Sequence, residues 1–207
     1  MDAVVRDTEQ TRKTKQQQAL NSGLSKEDEV LPERQRQPTR TKDQQVRWQP
    51  PSTMKFKITF DGVVFKEEKR AGLGVVIRNH QGQVHASLTE NVALPPSIME
   101  VEALAAIRVV SFEVELGVSS IIIEGEFEVV IKAMRSEEES LSTYGHLIAA
   151  ARQIMDSFSS LSFTHTHRQG NNLAHNLARH ARHVSSYLVW REDVPPQLQS
   201  VLQADFG

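Results

Sequence analysis

Hydrophobic and polar positions change their rhythm near residue 52. Before it there is no apolar period. Gln, Lys, Arg, Thr and Glu dominate, as in Gln16-Gln17-Gln18 and Arg34-Gln35-Arg36-Gln37, and Trp48 is the one aromatic. Such a segment cannot bury enough apolar surface to offset the entropy of ordering it. Residues 1–52 are therefore expected to form a disordered Gln/Lys/Arg-rich segment, with Trp48-Gln49-Pro50-Pro51 at its boundary. From Lys55 a period of two sets in. Phe56, Ile58 and Phe60 alternate with Lys57, Thr59 and Asp61, which predicts a half-buried strand ending at Asp61-Gly62. Leu73–Arg78 and Gln83–Thr89 predict two more strands, joined by the turn Asn79-His80-Gln81-Gly82 into a hairpin.

The period then lengthens to that of a helix. Ser97 and Glu100 have capping-box spacing, and Val101, Leu104, Ala105, Ile107 and Phe112 carry a helix to about Leu116, with Gly117 as its stop. Ile121-Ile122-Ile123 is a continuous apolar run, the pattern of a strand buried on both faces. It ends in Glu124-Gly125-Glu126 and gives way to a short helix through Val129, Val130, Ile131 and Met134. Tyr144 to Phe158 predicts a third helix. Leu161, Phe163 and His165 mark a last strand, and Leu173, Ala174, Leu177, Ala178 and Ala181 line the inner side of a final helix. This order predicts an α/β domain over residues 53–190, with a mixed five-stranded sheet flanked by helices. The first three strands are antiparallel and the later ones parallel, reached by a right-handed crossover. Residues 191–207 are expected as a C-terminal tail.

Composition narrows the function classes. The chain of 207 residues has 39% hydrophobic and 6% aromatic residues, and the deficit lies in the first fifty or so. A net charge of -2 supplies no global basic field toward nucleic acid, although the N-terminal segment has a small basic excess. The absence of Cys excludes disulfides, thiolate metal sites and Cys nucleophiles, and suits a reducing compartment. The first residues lack the apolar core of a secretory signal, and no apolar run approaches the roughly 18–20 residues of a spanning helix. The expectation is an intracellular protein, cytoplasmic or nuclear, monomeric and without a membrane partner. No phosphate-binding Gly-rich loop of the Walker or Rossmann kind is present.

Candidate chemistry rests on carboxylates at element ends. Asp61 belongs to the first strand, Glu102 to the first turns of the first helix and Glu126 to the end of the fourth strand. If the first and fourth strands are neighbours, the helix start lies over them and the three acids converge. Hard divalent cations take such oxygen ligands, and a metal pair can promote phosphodiester cleavage. Plainer roles are open to each: Asp61 closing a turn, Glu102 as a solvated helix residue, Glu126 offsetting a helix dipole. His175 reads as a surface helix residue, or in the sharper reading as a ligand or base. His165, His167, His175, His180 and His183 straddle a strand and several helix faces, which argues against a zinc site. Arg168, Asn171 and Arg179 are candidates for phosphate contact, or belong to a solvated face.

Several motifs occur together in a telling order: Phe60-Asp61-Gly62, Gly72 to Arg78 with Gly82, Glu100-Val101-Glu102-Ala103-Leu104-Ala105-Ala106, Glu124-Gly125-Glu126, His167 to Ala178, and Val189 to Pro195. On these residues the chain from about Lys55 to Trp190 resembles the ribonuclease H superfamily, in particular the plant reverse-transcriptase-like type 1 domains derived from non-LTR retroelements. The resemblance implies metal-dependent hydrolysis of the RNA strand of RNA–DNA hybrids, with Mg²⁺ or Mn²⁺ as cofactor and an RNA–DNA hybrid or RNA as partner. It assigns Asp61 as the first, metal-bridging carboxylate and Glu102 as the second. Glu126 stands at the third position, where the family has Asp, and His175 at the fourth, also Asp in the family. His165, or its neighbour His167, stands near the place of a loop histidine used in proton transfer or product release. Two departures point to weak activity or to a catalytically silent binding module. Glu126 adds a methylene to its ligand arm, and His175 offers a nitrogen that suits Mn²⁺ better than Mg²⁺. Glu137-Glu138-Glu139 also stands where a basic substrate handle is expected.

Overall fold

A computed structural model describes residues 47–116, 120–136, 138 and 142–206 of the chain. The expected disorder of residues 1–46, the helix stop at Gly117 and the acidic residues Glu137 and Glu139 lie outside the described residues. Strands β1 (Phe56–Phe65), β2 (Arg70–Arg78) and β3 (Val84–Ala93) form an antiparallel meander. Helix α1 (Ile98–Leu116) follows. Its start is fixed by the reciprocal bonds of a capping box, Ser97 N–H to Glu100 Oε2 at 3.0 Å and Glu100 N–H to Ser97 Oγ at 3.2 Å. Then come β4 (Ser120–Gly125), α2 (Glu128–Arg135), α3 (Gly145–Met155), β5 (Ser160–His165), a 3₁₀ turn (Arg168–Asn171) and α4 (Asn172–His180). The chain continues into β6 (Tyr187–Arg191) and α5 (Gln199–Phe206).

The strands form one sheet in the order β5-β4-β1-β2-β3-β6. β4 pairs in parallel with both β1 and β5, as the crossover requires. The mixed sheet is the one expected, with one strand more. β6 pairs antiparallel with β3 from Ala86↔Arg191 to Glu90↔Tyr187. Its residues carry no burial signal, because Tyr187, Leu188 and Val189 are 56%, 47% and 38% exposed. The strand owes its place to backbone pairing with a partner about a hundred residues upstream.

Period-two alternation distributes β1 over two packed layers. Ile58 and Phe60 join Val75, Ile77, Ile121 and Ile123 beneath α1, α2 and α3. The opposite face packs Val76 and Val84 against Leu173 and Leu177 of α4 and against Val194 and Leu198 near the C-terminus. Each such side chain contributes about 1.5–3 kcal/mol on burial. This second face also holds buried charge. Lys57 Nζ lies 3.1 Å from Glu124 Oε1, and Arg78 Nη1 donates to Asp205 Oδ2 of α5 at 2.6 Å. Trp48 is buried and stacks on the Arg78 guanidinium, 3.7 Å from its ring centre, so chain from both sides of the predicted domain packs on one arginine. Among the described residues no helix is long and apolar enough to cross a membrane.

Candidate active site

Asp61 does not end its strand, contrary to the alternation pattern. β1 runs on to Phe65 because β2 pairs with it that far. The strand that ends is β4, whose pairing with β1 stops at Phe60↔Gly125. Asp61 is thus the first residue of β1 beyond the carboxyl end of its parallel neighbour, in the opening where open α/β sheets place ligands. It is 3% exposed.

Two glycines allow helices to close on this point. A Cβ on Gly62 would lie 2.7 Å from Val101 Cγ1, so only glycine lets α1 sit this close to β1. Gly74 is the direct partner of Asp61 across the ladder, and a Cβ there would overlap the Ala174 carbonyl oxygen and the Ala178 nitrogen of α4. The residue after Val101 is Glu102, and the residue after Ala174 is His175. Each helix therefore delivers its polar side chain to Asp61.

Glu102 is 2% exposed, and its carboxyl is pushed up from 4.5 to about 9. Burial is the largest cause, followed by the charges of Asp61 and Glu126, while a hydrogen bond from the Gly62 backbone N–H opposes the rise. Asp61 and Glu126, from distant parts of the chain, thus both act on Glu102. Glu126 is half-buried in the bend between β4 and α2, one residue past the strand. Glu124 is kept apart from them by its partners: Lys57 Nζ and, at 3.2 Å, the Thr164 hydroxyl donate to its Oε1.

His175 Nδ1 lies 2.6 Å from Asp61 Oδ2, and His175 Nε2 lies 3.0 Å from Arg168 Nη2. A guanidinium only donates, so Nε2 is the acceptor and the ring proton sits on Nδ1, donated to Asp61. Arg168, His175 and Asp61 form a directed chain of hydrogen bonds ending on the carboxylate. His165 is the last residue of β5, and its Nε2 donates to the Glu126 backbone carbonyl at 2.9 Å. His167 stands edge-on to that ring, centroids 5.6 Å apart.

The candidate nucleic-acid contacts separate. Arg168 lines a cavity of about 730 Å³ beside Glu126. Arg179 is exposed and faces a different cavity with Arg182 and His183. Asn171 is 1% exposed, and its Nδ2 donates to the Phe60 carbonyl at 2.8 Å. It pins the 3₁₀ turn to β1 one residue before Asp61, which makes it a positioning residue. Three features of the site were not foreseen: the Asp61–His175 contact, the diversion of Glu124 to Lys57, and Arg47 in the Glu126 cavity. Only Lys57 left a trace in the sequence, as a polar residue in the alternation of β1.

The donor set suits a hard divalent cation in kind. Asp61, Glu102 and Glu126 all offer carboxylate oxygens, and burial first, then the charges of the other two, raises the Glu102 carboxyl, a repulsion that a cation would relieve. Their arrangement stops short of a coordination sphere. Among the described residues no group of three or more His, Cys, Asp or Glu side chains is placed to hold a metal ion.

The sequence model of the reverse transcriptase-like family matches residues 59–181. No curated protein matches the chain. Among solved structures, the chain is similar to RNase H1 from the halophilic archaeon Halobacterium salinarum, at 21% identity and a TM-score of 0.57 over 62% of this chain and 98% of that one. It is similar to the N-terminal RNase H domain of a Mycobacterium tuberculosis protein, at 20% identity and a TM-score of 0.55 over 61% and 92%. It is also similar to LC11-RNase H1, solved in complex with an RNA/DNA hybrid, at 22% identity and a TM-score of 0.54 over 61% and 95%. At these identities the likeness is one of fold.

Proposed function

The chain belongs to the reverse transcriptase-like family, and from that premise we propose that it binds RNA–DNA hybrids and hydrolyses their RNA strand with the help of Mg²⁺ or Mn²⁺. The observation that carries the reading is the burial of Asp61 and Glu102 at the carboxyl end of β4, where the charges of Asp61 and Glu126 both reach Glu102. Asp61, Glu102 and Glu126 would hold the cation. When bound, a divalent cation supplies Lewis-acid polarisation of a phosphodiester. The chain's own groups do the rest. Glu102 would have to give up its proton to serve as a ligand. Before a cation is bound, His175 holds Asp61 through Nδ1–H and is itself held by Arg168, a contact that the cation would have to displace. His165, at the Glu126 carbonyl, is placed to carry a proton at the edge of the site. Descent from a plant non-LTR retroelement, which the motif resemblance implies, belongs to the same reading.

The test is a strand-labelled hybrid incubated with the purified protein in each metal. RNA-strand cleavage that is lost in Asp61→Asn supports hydrolysis, and an intact RNA strand in both metals overturns it.

A second reading is favoured by one contact. His175 occupies Asp61 at 2.6 Å, where a cation would otherwise bind. A domain that keeps this contact would bind nucleic acid or a protein partner without cutting. Hybrid binding with no cleavage in either metal is its signature.

A further inference from the structure

The cavity beside Glu126 has a composition that the carboxylate site does not explain. Its volume, about 730 Å³, lies within the range of roughly 300–1,000 Å³ typical of ligand pockets. Arg47 and Arg168 line it, together with His165, His167 and Asn172. Two carboxylates also face it, Glu126 and Asp205. Asp205 is already matched by Arg78 at 2.6 Å, so it adds little free negative charge. Arg168 spends one N–H on His175 Nε2, which leaves the rest of its fork for a ligand. Arg47 is exposed and has no ion-pair partner among the described residues. Asn172, the first residue of α4, adds a neutral side-chain amide to the same wall.

From these observations we infer that the Arg47–Arg168 cavity is a phosphate-binding subsite for a nucleic-acid strand passing Glu126. Two guanidinium groups suit the planar, bidentate recognition of phosphodiester oxygens, and His167 lines the same cavity beside them. The cavity adjoins Glu126, so a phosphate held there belongs to a nucleotide near the carboxylates rather than to a remote stretch of the strand. Arg47 comes from the segment ahead of β1, and its carbonyl oxygen lies 3.8 Å from where a Cβ on Gly170 would sit, so the N-terminal chain forms one wall against the 3₁₀ turn. The assignment rests on the nucleic-acid reading above, and it supplies the basic contact that the sequence Glu137-Glu138-Glu139 lacks.

The test separates the two claims. Hybrid affinity is measured without divalent metal, by fluorescence anisotropy across a salt series, for the full chain and for Arg47→Ala, Arg168→Ala and Arg191→Ala. Arg191 lies on β6, at the opposite edge of the sheet from β5. The subsite predicts at least fivefold weaker binding in Arg47→Ala and in Arg168→Ala, with the log–log salt slope reduced by about one. Arg191→Ala binds as wild type, and Arg47→Lys recovers part of the loss. Arg47 decides the matter, because it is distant in sequence from the His175 chain that Arg168 supports. Hybrid binding indifferent to Arg47 overturns the subsite and leaves the hydrolytic reading standing. NMR shifts of cavity residues with inorganic phosphate, combined with that indifference, would mark a free-anion site and also overturn the strand assignment. Binding that depends on Arg47 in a protein that cuts no hybrid keeps the subsite and removes hydrolysis. No hybrid binding at all overturns both.

Discussion

His175 donates from Nδ1 to Asp61 Oδ2 across 2.6 Å, although the two residues are 114 positions apart. The contact ties α4 to β1 at the carboxyl end of β4, and it sets the terms on which a cation could enter. To bind one, Asp61 must loosen its bond to the imidazole. A carboxylate in place of His175 would instead add an oxygen ligand. His175→Asp is therefore expected to raise Mg²⁺-dependent cleavage by roughly tenfold, the lower end of what changes beside a metal ligand produce. If the His175 ring leaves Arg168 and turns Nε2 to the cation, wild type is expected to prefer Mn²⁺ over Mg²⁺, because a nitrogen donor suits Mn²⁺ better. Single-turnover rates in the two metals check both, and equal wild-type rates would count against His175 as a ligand.

Glu102 makes the metal-free protein sensitive to pH. Its carboxyl is raised from 4.5 to about 9, so in that window the folded state binds more protons than the unfolded state. Stability then falls as pH rises from about 4.5 to about 9, with a slope of at most about 1.4 kcal/mol per pH unit from this one group. Glu102→Gln removes that component. Urea denaturation from pH 5 to pH 9 should show wild type losing stability relative to the variant as pH increases. Parallel profiles would contradict the buried, raised carboxyl.

Cation binding should reverse that pH trend. A divalent ion that gathers Glu102 must displace its proton, so binding at pH 7.5 releases protons and strengthens with pH. Mn²⁺ is expected to raise Tm in wild type and to do so far less in Glu102→Gln or Asp61→Asn. Calorimetric titration in two buffers of different ionisation enthalpy measures the proton release.

The Arg78–Asp205 pair should be costly to break. The two side chains are only 1% and 5% exposed, and the Arg78 Nε and Nη2 atoms are buried without a hydrogen-bond partner among the described residues. Asp205→Ala leaves a buried guanidinium without its carboxylate, which should destabilise the fold by roughly 3–5 kcal/mol. Trp48 rests on Arg78 at 3.7 Å, so its fluorescence should report the loss in the same denaturation curve. An Asp205→Ala midpoint equal to wild type would contradict the buried pairing.

Local pattern revealed those parts of the fold whose reasons are local. Ile121 to Ile123 read as a buried strand because a buried parallel strand needs apolar residues throughout, and Ser97 with Glu100 read as a helix start because the capping bonds span three residues. The meander and the parallel return followed from element order. β6 was not legible, because its side chains are exposed and its pairing lies with β3. Trp48 was read with a polar segment, yet it is buried by an arginine on β2. In the site, motif resemblance picked out Asp61, Glu102 and Glu126, and the charges of the first and third reach Glu102. It did not reveal that Asn171 is turned inward to Phe60, nor that Asp61 lies mid-strand, because both depend on where neighbouring elements stop.

Whether Asp61, Glu102 and Glu126 gather a divalent cation is tested most directly by anomalous diffraction from crystals soaked in Mn²⁺ with a bound hybrid. The predicted result is a Mn²⁺ peak within ligand distance of all three carboxylates, with the His175 ring moved off Asp61 Oδ2. Crystals with hybrid in place, no Mn²⁺ peak at these residues and the His175–Asp61 contact intact would contradict it.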